Sequence, residues 1–348
     1  MMELDKLVRK NILALKPYSC ARDEFQGEAS VYLDANESPY NEPYNRYPDP
    51  LQRKVKEKIA AMKDVRPSQI MLGNGSDEPI DLLLRIFCEP QLDNIVTIDP
   101  SYGMYQVCAD INDVECRKVL LDENYDLDPE TLLKATDDHT KLVFLCSPNN
   151  PSGNLLSYLK IFEVLKTLKD LNKIVVIDEA YIDFAPGQSW LKELNNYPNL
   201  VILQTFSKAW GLASVRCGMA FASEEIIAYF NKVKYPYNLN ILTQEFILDQ
   251  LDKEEQKKES VTRILEERPL LEKALSELAL TEKVYPSDAN FFLVKVRNAN
   301  IIYNQLAEKG VVVRNRHKIS LCGNCLRITI GTPEENRILI NILKGMDI

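Results

Sequence analysis

Histidine is almost missing from this chain of 348 residues: His139 and His317 are the only two, far apart in sequence. Zinc centres and Ser-His-Asp machinery both draw on histidine, so neither is expected, and no residue is assigned to a metal. Long apolar runs are missing as well. None approaches the roughly 18 residues that a membrane-spanning helix needs. Residues 1–15 mix Glu3, Asp5, Lys6, Arg9 and Lys10 with leucines at helical spacing, where a secretory signal would carry an apolar core. A cytoplasmic protein is therefore expected. Positive charge is in deficit, with 42 Lys and Arg against 51 Asp and Glu and a net charge of −9. That balance argues against nucleic acid or a membrane surface as partner, while a local arginine cluster could still hold a small anion. The stretch Gly73-Asn74-Gly75 lacks the third glycine of a dinucleotide fingerprint. Internal repeats and low-complexity tracts are also missing. Without an oxidising compartment, the eight cysteines read as reduced thiols. The pair in Cys322-Gly323-Asn324-Cys325 has a suggestive spacing. It runs into an apolar strand, however, and not into the helix N-terminus that would activate a thiol.

What is present is a globular composition, with 45% hydrophobic and 27% charged residues, enough for a large core and two subdomains. From about residue 69 to 221, short β-rich runs (94–98, 114–119, 142–145, 174–177, 201–203 and 217–221) alternate with helical periodicity, as over 76–88 and 158–171. This alternation predicts an α/β fold, a mostly parallel sheet flanked by helices, whose ligands bind beyond the carboxyl ends of the strands. After Tyr237 the texture changes. A charged helical stretch over about 250–278, short strands over 290–296, 311–314 and 326–330, and a last helix from Pro333 predict a smaller α+β domain. The expected division is residues 1–30 as an N-terminal arm or part of the small domain, 31–240 as the large domain and 241–348 as the small one. Residues 32–50, rich in Asn, Pro and Tyr, read as a loop too aromatic to be a mere linker.

Three loops at predicted strand ends carry reactive side chains: Asn149-Asn150-Pro151-Ser152-Gly153, Asp178-Glu179-Ala180-Tyr181 and Ser207-Lys208, with Arg216 eight residues after the lysine. A lysine amine joined to an aldehyde cofactor activates the carbonyl and, once displaced by substrate, becomes a base. A buried carboxylate such as Asp178 needs a partner, and a protonated pyridine nitrogen is a suitable one. Asn150 and Tyr181 can hydrogen-bond a ring hydroxyl, and Tyr102 can stack on the ring. Gly75, Ser76 and Asp77 open a helix whose N–H groups, with Thr205, Ser207 and Arg216, can receive a phosphate. Arg327, interrupting an apolar strand, can fork onto a carboxylate or phosphate. Each residue has a plainer reading alone: a surface lysine, a helix-capping aspartate, a core tyrosine, a turn asparagine, a capped helix after a turn, an edge-strand arginine. The combination points to pyridoxal 5′-phosphate (PLP) on Lys208 and to movement of amino groups.

The motifs resemble those of fold-type I PLP enzymes, most closely the histidinol-phosphate aminotransferase group. The resemblance spans nearly the whole chain. It rests on Leu33-Asp34-Ala35-Asn36-Glu37-Ser38-Pro39, Arg46-Tyr47-Pro48-Asp49, Gly75-Ser76-Asp77-Glu78, Ser101-Tyr102-Gly103-Met104-Tyr105, Ser147-Pro148-Asn149-Asn150-Pro151, Asp178-Glu179-Ala180-Tyr181, Ser207-Lys208-Ala209 and Leu326-Arg327-Ile328-Thr329. It implies that Lys208 bonds the cofactor aldehyde, that Asp178 pairs with the ring nitrogen, and that Asn150 and Tyr181 contact the ring hydroxyl. It further implies that Tyr47 reaches the cofactor phosphate of a second subunit, hence a homodimer. Tyr18, Asn36, Arg314 and Arg327 match substrate positions for histidinol phosphate and for glutamate or 2-oxoglutarate. The chain departs from its relatives at Ser214-Val215-Arg216, where Gly-Leu-Arg is frequent, at Phe206 in place of leucine, and at Ser152 in place of threonine. None of these touches a reacting group. Rival readings are an aromatic-amino-acid aminotransferase, a PLP-dependent phosphothreonine decarboxylase, and a non-catalytic binding module of the same fold.

Overall fold

Strands covered on both faces have no polar side, so they read as unbroken apolar runs. The computed structural model, which describes residues 3–19 and 30–346, gathers such runs, with one largely exposed and charged edge strand, into one sheet of seven strands. They are β1 (Ile70–Gly73), β2 (Asn94–Asp99), β3 (Glu115–Leu120), β4 (Thr140–Cys146), β5 (Ile174–Asp178), β6 (Leu200–Thr205) and β7 (Gly218–Phe221), in the order β1-β7-β6-β5-β4-β2-β3. Only β7 runs against its neighbours. Side chains alternate between two cores. Val143, Leu145, Val175, Ile177 and Ile202 face the helices Arg53–Lys63 and Tyr158–Asp170. Leu142, Phe144, Val176 and Leu203 face Asp77–Phe87, Met104–Ile111 and Glu224–Val233.

The N-terminal segment is placed differently from one of the options read in the sequence. Leu7, Val8 and Ile12 join the core beneath Asp77–Phe87, and the Arg9 N–H donates to the Ile86 carbonyl. The described part of this arm thus lies on the large sheet, because its leucine-spaced face finds apolar partners there. The helix Ile241–Leu251 likewise sends Ile247 and Leu251 into the large core.

The second sheet is antiparallel, in the order β10-β11-β9-β8, from β8 (Thr281–Val284), β9 (Phe291–Val296), β10 (Arg314–Asn315) and β11 (Cys325–Thr329). The helices Ala299–Glu308 and Pro333–Lys344 and the far end of Glu254–Ser276 cover one of its faces. The strand expected over 311–314 shrinks to Arg314–Asn315. Gly310, at φ +78°, turns the chain out of the preceding helix, and Val312 is left exposed. The charged stretch expected over 250–278 is interrupted at Asp252 and Lys253, between two helices. No helix among the described residues is long and apolar enough to cross a membrane.

Candidate active site

Parallel pairing sets Cys146 beside Asp178, and Asp178 beside Leu203, so β4, β5 and β6 end together. The loops that follow enclose a pocket of about 590 Å³, counting its open mouth. Lys208, Asp178, Tyr181, Asn150, Tyr102 and Ser207 line it, with Ser76, Asp77, Thr205 and Arg216. The three strand-end motifs separated in sequence are thereby brought to one place.

Asp178 is buried at the floor. It accepts from the Tyr105 hydroxyl at 2.7 Å and from the Ala180 N–H at 3.0 Å. Burial holds its pKa above the usual carboxylate range, although both donors pull the other way. Its hydrogen-bond donors are a phenol and an amide, neither of them a cation, which leaves the carboxylate suited to a positively charged ring nitrogen. Tyr105 itself is fully buried and stacks on Phe144 at 4.9 Å between ring centroids. The sequence reading gives Tyr105 no role of its own. The one available signal is its place in the same short motif as Tyr102, just inside the helix that follows.

Lys208 stands at the mouth with its Nζ 5.5 Å from the Tyr181 ring centre. Its pKa is lowered by burial of the amine, then by Arg327, against the opposite pull of Asp178. Solvent reaching it through the open mouth limits that shift. A lower pKa increases the share of neutral amine, the form that attacks a carbonyl or accepts a proton.

An anion cradle closes the far end. Gly75, at φ +68°, makes the turn into the helix Asp77–Phe87, and a Cβ there would strike the Arg216 guanidinium. A Cβ on Gly218 would collide with the backbone of Gly75 and Ser76, so the close approach of β7 to this turn requires glycine. The Gly75 N–H donates to the Arg216 carbonyl at 3.1 Å. The Thr205 hydroxyl donates to Ser207 Oγ at 3.0 Å. The Tyr102 hydroxyl donates to Asp77 at 3.0 Å, and Arg216 lies 3.8 Å from the same carboxylate. Aldehyde-reactive amine, buried carboxylate, ring-facing tyrosines and cradle all match the parts of PLP.

Arg327 comes from the small sheet to the pocket rim, donating to Asn150 Oδ1 at 2.5 Å and lying 5.3 Å from the Phe291 ring centre. The remaining sequence-assigned residues lie apart from this pocket. Tyr18 is 71% exposed. Asn36 and Tyr47 line a separate surface cleft, where Tyr47 stacks on Tyr237 at 4.4 Å. Arg314 is exposed and pairs across the sheet with Arg327.

Residues 28–343 match the family model described as aminotransferase class I and II. A curated histidinol-phosphate aminotransferase of Parabacteroides distasonis is 60% identical over 346 residues, covering 99% of this chain and 99% of that one. Among solved structures, the histidinol-phosphate aminotransferase of Clostridium acetobutylicum superposes with a TM-score of 0.81 at 28% identity, over 87% of this chain and 90% of that one. The Sinorhizobium meliloti histidinol-phosphate aminotransferase in complex with pyridoxal-5′-phosphate superposes with a TM-score of 0.78 at 23% identity, over 89% and 88%, a likeness of fold.

Proposed function

The chain belongs to the class I and II aminotransferases, and from that premise we propose that it is a PLP enzyme moving the amino group of L-histidinol phosphate to 2-oxoglutarate, yielding imidazole-acetol phosphate and glutamate. The observation that carries the reading is the convergence of Lys208 and buried Asp178 above one anion cradle. When bound, PLP supplies an aldehyde that takes the amino group and a ring that accepts electrons as the substrate Cα loses its proton.

The protein does the rest. Lys208 would hold the group through its amine and, when free, would move the proton at the substrate Cα. Asp178, kept in place by Tyr105 and the Ala180 N–H, would hold the ring nitrogen positive. Asn150 and Tyr181 would orient the ring through its hydroxyl, and Tyr102 would stack on it. Ser76, Asp77, Thr205, Ser207 and Arg216 would fix the phosphate, the first two through backbone N–H groups at a helix start. Arg327 at the pocket rim, with Arg314 beside it on the sheet, receives the anionic end of each substrate.

A homodimer in the cytoplasm completes the picture. Leu33, Tyr40, Tyr44, Tyr47 and Tyr235 are exposed on the loop before Pro50 and near Tyr237, an aromatic surface that a second copy would cover. Tyr47 lies outside the pocket of its own chain, which supports its delivery to a partner's cofactor phosphate.

Assay of PLP-loaded protein with histidinol phosphate, phenylalanine and phosphothreonine tests the reading. Preference for histidinol phosphate, with glutamate formed and no carbon dioxide, is expected. Preference for phenylalanine would make the protein an aromatic-amino-acid aminotransferase, and release of carbon dioxide a decarboxylase.

A further inference from the structure

Three arginines share one face of the small sheet. Pairing of β10 with β11 puts Arg314 opposite Arg327. The ladder continues as the Arg316 N–H donates to the Cys325 carbonyl at 2.9 Å. Side chains alternate along a strand, so Leu326 and Ile328 enter the small core while Arg314, Arg316 and Arg327 take the other face. That face meets the large domain where Arg327 binds Asn150.

Arg316 is the odd member. Arg327 is steadied by Asn150 and the Phe291 ring, and Arg314 is solvated. The Nε of Arg316 is shut off from solvent and has no hydrogen-bond partner among the described residues. Burial first, then Arg327 and Arg314, pull its pKa down to about 10. The groups that act on it with opposite sign are the Cys322 thiol and the Tyr181 phenol, the latter a wall of the pocket. Residues 311–330 contain no aspartate or glutamate. A guanidinium half out of water, beside two like charges and without an acceptor, is an unfavourable arrangement unless a ligand brings the missing negative charge.

We propose that Arg316 binds the substrate phosphate together with Arg314 and Arg327, and that it sets the preference for a phosphorylated over an unphosphorylated amine. The inference rests on the histidinol phosphate reading and names the residue that makes that choice. One arginine fork neutralises a carboxylate, whereas a phosphate monoester carries about −1.5 to −2 charges at neutral pH and offers three oxygens. A second and third guanidinium are what the dianion adds to the requirement.

The test compares PLP-loaded wild type, Arg316→Gln and Arg316→Lys on histidinol phosphate and on histidinol, which lacks the phosphate. Arg316→Gln should raise KM for histidinol phosphate about ten-fold or more with kcat little changed. Turnover of histidinol and the melting temperature should stay at wild-type values, and Arg316→Lys should recover part of the loss. An equal loss on both amines, or an unchanged KM for histidinol phosphate, would overturn the proposal. Should the wild type use histidinol phosphate no better than histidinol, the functional reading fails on its own. Calorimetric titration with inorganic phosphate then decides the arginine's part: binding weakened about ten-fold in Arg316→Gln supports it, and equal binding refutes it.

Discussion

Tyr105→Phe isolates the link between the floor of the pocket and its chemistry. The ring is fully buried and stacked on Phe144, so phenylalanine fills the same space and the fold should survive. What goes is the 2.7 Å hydrogen bond to Asp178. Removing a donor from a buried carboxylate costs about 1.5–3 kcal/mol, and the cost falls on the ionised form. Burial already holds Asp178 above the usual range, and the Tyr105 hydroxyl is the first of the groups that lower it. Its loss moves the pKa up again, so less of Asp178 is ionised near neutrality. A protonated aspartate cannot pair with a ring cation, so PLP should bind about ten-fold or more weakly, and kcat should fall. The sign with pH follows: a raised carboxyl pKa means the charged form returns as pH rises, so the variant should regain affinity toward alkaline pH while the wild type stays flatter. Titrating apoprotein with PLP by visible absorbance at several pH values measures this. Wild-type affinity with an unshifted pH profile would refute the reasoning.

Other outcomes follow from the same geometry. Lys208→Ala should lose the visible band of the bound aldehyde and at least about 100-fold in turnover; a rate near wild type would contradict the assignment. Gly75→Ala, forced to φ +68° with its Cβ against Arg216, should cost about 1–2 kcal/mol in urea denaturation and loosen PLP; an unchanged midpoint would show that the turn is not constrained. Tyr47→Ala and Lys208→Ala subunits, each impaired alone, should recover activity when mixed, because one site of the mixed dimer receives both intact residues; no recovery argues against a shared site. Burial lowers the pKa of Lys56 to about 7, against 10.5 for an ordinary lysine. The unfolded chain then binds the extra proton between these values, so stability should rise with pH across that window, and Lys56→Met should flatten the rise.

Much of this was legible because it depends on short-range pattern. The apolar runs ending in Asp178 and Thr205 announce buried parallel strands, and the reacting side chains sit at their last residue or on the loops directly after them. Cys325 begins a strand, as its apolar sequel suggests, and it lies buried with Cys322 in the large core. What escaped depends on distance in sequence. β8 has two exposed lysine-and-glutamate positions in four residues and gains its strand identity from pairing with β9. Tyr105 becomes relevant only when β5 is folded beneath its helix, its partner lying 73 positions further along the chain. The apolar spacing of residues 4–12 was visible, whereas the surface it covers was not. Arg316 looks like any charged residue beside a strand until its buried Nε shows that nothing in the described chain answers it.

The most direct test of the whole account is to reduce the PLP-loaded protein with borohydride, digest it, and weigh the peptides. A cofactor adduct is expected on the peptide containing Lys208 and on no other. An adduct on a different lysine, or a Lys208 peptide of unmodified mass from fully loaded protein, would contradict it.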